Sequence, residues 1–186
     1  MSERIKRLEM DELQSELREC LRPRVERLRY LGEFFKCMGH QPQALRAFIE
    51  FTEAAKQPLP KKIVEVIALT VAVSEHNAYE RNQHERLSVR LSFGKEWIEA
   101  VERLDPDNAP LMQEAERAVQ RYVLAVTRST GTSCAESLER VIDVLGSDLA
   151  VAVMMVVGRY VMHTIVVKSL RLAAPVPSIW EDGFAG

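Results

Sequence analysis

Glu80 and His84 stand four residues apart in the stretch Tyr79-Glu80-Arg81-Asn82-Gln83-His84. On a helix that spacing places a carboxylate and an imidazole side by side on one face. A third group, Glu65, interrupts the apolar run from Ile63 to Val73, which otherwise carries only the hydroxyl of Thr70. A carboxylate inside an apolar run loses hydration, and such a group is kept where it is paired or used. Burial raises the pKa of a carboxyl, and a neighbouring carboxylate raises that of a histidine. General acid–base catalysis needs such groups, charged in one step and neutral in the next, held beside one another. The three residues predict a partly buried pocket in which His84, Glu80 and Glu65 handle protons as catalytic groups.

Other side chains are candidates for lining that pocket. His76 and Asn77 lie at the junction of the two segments, Tyr79 precedes Glu80, and His163 sits in a late apolar stretch. All four are predicted to contact substrate. Each also has a plain structural reading. His76 and Asn77 suit a cap or turn, Tyr79 suits a core, and His163 suits a satisfied core histidine. An acid and a histidine four apart are often a surface ion pair, and Glu65 has Arg90 and Arg159 as possible partners. A Glu–His pair at this spacing without a matching partner helix is poor support for a metal site, so neither metal nor cofactor is expected.

Helical periodicity dominates the segments that must position these groups, which predicts an all-α fold. From Ile5 to Leu28 the apolar residues recur at helical intervals amid mixed charge. Residues 1–22 are predicted as an N-terminal helical arm ended near Pro23. Gly39-His40-Gln41-Pro42 reads as a turn, and Gln43 to Ala55 as a helix with Leu45, Phe48, Ile49 and Phe51 inward. Pro60 is well placed to open the apolar segment, whose valines and isoleucines also allow a buried strand but whose length and lack of a turn signal before Ser74 favour a helix. Glu75 to Phe93 reads as the next helix, stopped by Gly94. Ala109 to Arg128 is amphipathic, and Ser133 with Glu136 has the spacing of a capping box. Leu149 to Val167 is apolar, but Arg159, Tyr160 and His163 lie in its middle, which favours a buried core or subunit-contact helix over a membrane span. Residues 175–186 read as an extended tail draped over a neighbour.

Bulk composition fits one folded domain over residues 1–186, with 47% hydrophobic and 28% charged residues. A formal net charge of −2 gives no electrostatic footprint for nucleic acid. The start MSERIKRLEM lacks the apolar core of a signal peptide, so a cytoplasmic location is expected. Cys20, Cys37 and Cys134 form no CxxC pair and read as reduced thiols. Cys134, expected in a first helical turn, is the candidate for reactivity.

At these residues the chain resembles the carboxymuconolactone decarboxylase and alkyl hydroperoxidase-D superfamily. The resemblance runs from Leu31-Gly32 and Gly39-His40-Gln41-Pro42, through Leu59-Pro60 and the segment Ile63 to Ala72, to Tyr79–His84. It continues from Ala115 to Gly158-Arg159-Tyr160. In the peroxidase branch a CxxC precedes the motif histidine, and aligned on His84 those cysteines fall at Asn77 and Glu80. Both thiols are absent, which implies loss of peroxide chemistry. Glu65 corresponds to that branch's proton-relay glutamate and His84 to its motif histidine. The decarboxylase branch keeps Glu-x-x-x-His without cysteines, matching Glu80 and His84. The resemblance implies an all-α homo-oligomer, trimer or hexamer, with the pocket near subunit contacts. It also implies a cofactor-free lyase acting on a small carboxylated lactone or keto acid, His84 moving the proton. The competing expectations are a non-catalytic ligand-binding member and a hydroperoxide reductase using Cys37 or Cys134.

Overall fold

The computed structural model describes residues 4–181 and Phe184. Residues 1–3 of the predicted arm and 182, 183, 185 and 186 of the predicted tail lie outside the described residues. The described residues form helices and turns only, with no strand. The helices are α1 (Ser15–Leu28), α2 (Glu33–Met38), α3 (Pro42–Lys56), α4 (Lys61–Ser74), α5 (Ala78–Arg90), α6 (Lys95–Glu102), α7 (Glu114–Ser129), α8 (Ala135–Leu145) and α9 (Ser147–Leu170).

Helix α4 is the axis of the molecule. Every residue from Ile63 to Ala72 is buried, because α5, α6, α7 and α9 pack around it. A helix apolar on all sides is stable in water only when enclosed this way. Two apolar cores result. The larger joins α4 to α6, α7, α8 and α9 through residues such as Ile67, Ile98, Val123 and Val153. The smaller gathers Leu17, Leu21, Phe34, Leu45 and Tyr79 from α1, α2, α3 and α5.

Several boundaries differ from the sequence expectation, each for a local reason. The arm is not a helix over residues 1–22: residues 4–14 are turns and coil, and α1 runs through Pro23 without a break. A proline inside a helix costs about 3 kcal/mol, but Leu17, Leu21 and Val25 on both sides of it pack into the smaller core. The arm therefore docks on its own domain. Helix α5 begins at Ala78 rather than Glu75, since His76 takes a left-handed φ of 52° and Asn77 caps the next turn, accepting from the Glu80 amide at 3.3 Å. Phe51, expected inward, is exposed on α3. The capping box forms at Gln113 and Glu116 on α7, while Ser133 and Glu136 form none, because α8 starts one residue later with Cys134 at its N-cap.

Gly146 alone separates α8 from α9, at φ 82°, a conformation that glycine adopts without strain. By length and composition α9 could cross a membrane, yet half of its apolar window is buried inside the domain. Its outer face exposes Val151, Met154, Met155, Met162 and Ile165.

The described part of the tail lies on its own chain. Asn82 donates to the Val176 carbonyl at 2.9 Å and Arg86 to the Pro177 carbonyl at 2.8 Å. Fully buried Glu85 accepts from Ser178 Oγ at 2.6 Å and the Ile179 amide at 2.8 Å. Trp180 Nε1 donates to Glu102 at 3.0 Å. Residues 176–180 thus form a strap across α5 and α6.

Candidate functional site

A groove of about 980 Å³ opens along the seam between the two cores. Helix α4 supplies Glu65 to it, α5 supplies Glu80 and His84, and α9 supplies Arg159 and His163. Glu65 lies on the α4 face that meets α5, so the only carboxylate of the apolar run is opposite the polar helix. His84 Nδ1 lies 2.8 Å from Glu65 Oε2. Its other nitrogen, Nε2, lies 3.1 Å from Glu80 Oε2 and 3.2 Å from the Tyr160 hydroxyl. Ser88 Oγ donates to Glu65 Oε2 at 3.4 Å, one turn beyond His84.

Glu80 faces a second set of partners. Arg159 donates to its Oε1 at 3.2 Å. His163 Nδ1 is 2.9 Å from the same oxygen but out of line for a hydrogen bond, and its ring stacks on Phe34 at 4.1 Å. Arg159 also lies over the Tyr160 ring, 4.3 Å from its centroid.

Charge follows this geometry. Burial alone would push His84 down, but Glu65 and Glu80 outweigh it and lift its pKa to about 9. His84 is an imidazolium at neutral pH. Burial alone would push Glu80 up, but His163, Arg159 and His84 hold its carboxyl well below the usual range. Burial pushes His163 below its ordinary value, against the pull of Glu80. Burial drives the Tyr160 hydroxyl well upward, and it stays protonated. Glu80 is therefore a fixed carboxylate and His84 the mobile acid. The proton on Nε2 is the more transferable, since its two partners are longer than the 2.8 Å contact at Nδ1. Loss of that proton leaves neutral His84 with Nδ1–H still held by Glu65, a single defined tautomer.

Glu65, Glu80 and His84 meet in this groove, and His163 and Tyr79 line it as well. The Tyr79 hydroxyl accepts from the Phe34 amide at 3.3 Å. His76 and Asn77 fall outside the groove lining. His76 is exposed at the bend before α5, and Asn77 is consumed by its cap and a 2.9 Å bond to Thr164. None of the three cysteines lines the groove. Glu65 pairs with neither Arg90 nor Arg159. Sequence reasoning did not assign Arg159 to Glu80, nor Tyr160 and Lys56 to the site. The first two were signalled by polarity within the apolar α9, whereas Lys56 sits in an ordinary polar stretch. Among the described residues no group of three or more His, Cys, Asp or Glu is placed to hold a metal ion.

Residues 42–120 match the carboxymuconolactone decarboxylase family. They include α3, α4 and α5, and with them Glu65, Glu80 and His84. An alkylhydroperoxidase AhpD-core, peroxidase-related protein from Ralstonia eutropha JMP134 superposes with a TM-score of 0.76 at 15% identity, over 91% of this chain and 92% of its own. The chain has the AhpD-like fold, and residues 42–120 within it match the carboxymuconolactone decarboxylase family. A putative antioxidant defence protein of the AhpD type from Agrobacterium tumefaciens has the same fold, with a TM-score of 0.68 and 19% identity over 75% of this chain and 96% of that one. So does a cysteine-to-alanine variant of the debrominase Bmp8 in complex with 2,3,4-tribromopyrrole, with a TM-score of 0.79 and 14% identity over 92% and 91% of the two chains. No curated protein matches the chain in sequence.

Proposed function

We propose that this protein is a cofactor-free lyase that uses His84 as general acid on a small carboxylated lactone or keto acid. The observation that carries the reading is the continuous contact Glu65–His84–Glu80 on the groove, with His84 held as an imidazolium. In such a reaction the bond to the departing carboxylate breaks, carbon dioxide leaves, and the electron pair passes to the neighbouring carbonyl as an enolate. The enolate carbon then takes the Nε2 proton of His84. Glu65 fixes the ring and its tautomer, and Glu80, pinned by Arg159, offsets the imidazolium charge. The cationic wall of the groove favours the negative charge that develops.

A hydroperoxide reductase is disfavoured, because no thiol reaches the groove. The non-catalytic alternative, a ligand-binding member, predicts the same groove without turnover. A screen of carboxylated lactones and β-keto acids for carbon dioxide release, with His84→Ala as control, separates the two. Release that survives in the variant, or no release from any substrate, ends the lyase reading.

We also place the protein in the cytoplasm as a homo-oligomer. Three cysteines without a disulfide suit a reducing compartment, and the exposed apolar face of α9 is a surface that a second copy would cover. Light scattering on the purified chain tests the assembly, a trimer or hexamer being the expected state.

A further inference from the structure

The groove wall carries several cations, and most of them are already committed. Arg159 is tied to Glu80 at 3.2 Å, Arg24 to Glu53 at 2.9 Å, and Arg86 to the Pro177 carbonyl at 2.8 Å. Arg27, Lys61 and Arg90 stand exposed at the rim. Lys56 differs from all of these. It is half-buried, lines the groove, and makes no ion pair among the described residues. Its Nζ lies over the Tyr160 ring, 5.3 Å from the centroid, and the hydroxyl of that ring is 3.2 Å from His84 Nε2. One aromatic ring therefore separates the lysine from the mobile proton.

The last turn of a helix favours a cation, which accounts for a lysine at the end of α3. It does not account for an ammonium turned over a buried phenol with Arg159 beside it. Burial and the Arg159 charge together push Lys56 down to about 8. The cation–π contact with Tyr160 offsets part of that cost. A charge-assisted bond to an anion would offset the rest. Leu28, Leu31, Phe35, Leu87 and Leu91 line the same groove.

We infer that Lys56 is the seat for a substrate carboxylate, and that the ligand is an organic acid whose apolar body lies on the leucine and phenylalanine wall. The inference rests on reading the groove as a substrate site and names the substrate class and the residue that selects it. A carboxylate bonded to Lys56 sets the adjoining carbons in the groove, on the side of His84. Lys56 is thus a positioning residue, and its effect falls on binding.

Equilibrium binding tests it without relying on turnover. By calorimetry at pH 7, 3-phenylpropionate should bind the wild-type protein at least about 10-fold more tightly than the uncharged 3-phenylpropionamide, the discrimination of one charge-assisted hydrogen bond. Lys56→Met should erase that preference, and Lys56→Arg should restore most of it. The preference should fade as pH rises through about 8, where the lysine loses its proton. His84→Ala should retain the preference, so loss of the proton chemistry and loss of the seat are read separately. Equal preference in wild type and Lys56→Met, or no preference for the acid in the wild type, overturns the assignment. So does a borohydride-trapped imine at Lys56 with a keto acid, which would make the lysine a covalent group.

Discussion

Glu65 Oε2 and His84 Nδ1 lie 2.8 Å apart, on two helices joined by a bend of three residues. That contact fixes which nitrogen of His84 stays protonated and which one gives up its proton. Replacing His84 by alanine should lower turnover by roughly 10²–10⁴-fold, the usual range for a general acid. His84→Gln, which keeps a donor near Glu65, should lose as much activity while holding the fold better, as circular dichroism would show. Full activity in both variants would remove His84 from the chemistry.

The raised pKa of His84 makes stability depend on pH with a definite sign. The folded value, about 9, exceeds the ordinary 6.5, so its contribution is complete below about pH 6.5 and is lost as pH climbs towards 9. Glu80 behaves oppositely. Its folded pKa lies well below 4.5, so its contribution is present above that value and is lost as pH falls below it. Urea midpoints measured from about pH 2 to 10 should form a plateau with two falling limbs. In Glu65→Gln the alkaline limb should be smaller and end at lower pH, and an unchanged limb would count against the Glu65 contact as its source.

Arg159 and Glu80 are both buried, at 8% and 6% exposure, so neither is easily satisfied by water once its partner is gone. Arg159→Met alone should cost about 3–5 kcal/mol, as expected for an uncompensated buried charge. Arg159→Met with Glu80→Gln should cost clearly less than the two single changes added together. Strict additivity in denaturant titrations would mean that the two side chains do not share their energy.

Gly32 closes the approach of α2 to α5. A Cβ at this position would stand 2.7 Å from the Tyr79 hydroxyl, and the backbone itself is unstrained there. Gly32→Ala should therefore destabilise by about 1–3 kcal/mol through crowding alone. Tyr79→Phe in the same chain should recover part of that loss, despite giving up the bond to Phe34. Thermal unfolding of the single and double variants decides it, and no recovery would place the strain elsewhere.

Glu85 anchors the strap through Ser178 and Ile179 from a fully buried position. Glu85→Ala should release residues 176–180, seen as faster amide exchange at Ile179 and Trp180. Val176 lines the groove, so ligand affinity should fall with it. Exchange unchanged from wild type would show that Asn82 and Arg86 hold the strap unaided.

The polar side chains of the groove were legible in the sequence where they broke an apolar pattern. Glu65 stood out because Ile63 to Val73 leaves no solvated face, and Arg159, Tyr160 and His163 stood out on α9 for the same reason. Glu80 and His84 followed from helical spacing. Pairings between distant elements were not legible: Arg159 meets Glu80 rather than Glu65 because of how α9 crosses the α4–α5 pair, and periodicity does not encode crossing. His76 and Asn77 took the turn and cap roles that their residue types also allowed, rather than a place in the groove lining. Pro23 misled for another reason, since tertiary burial overrode a strong local preference. Lys56 gave no signal at all, as a lysine ending an amphipathic helix is ordinary.

The strap has a bearing on the order in which the pocket is completed. Asn82 and Arg86 on α5 wait for the carbonyls of Val176 and Pro177, more than ninety residues later in the chain. During synthesis the α4–α5 pair with Glu65, Glu80 and His84 leaves the ribosome long before Arg159 and the strap. For that interval two acids and a histidine must stay hydrated, so the α4–α5 hairpin is an early docking surface whose polar side is closed last.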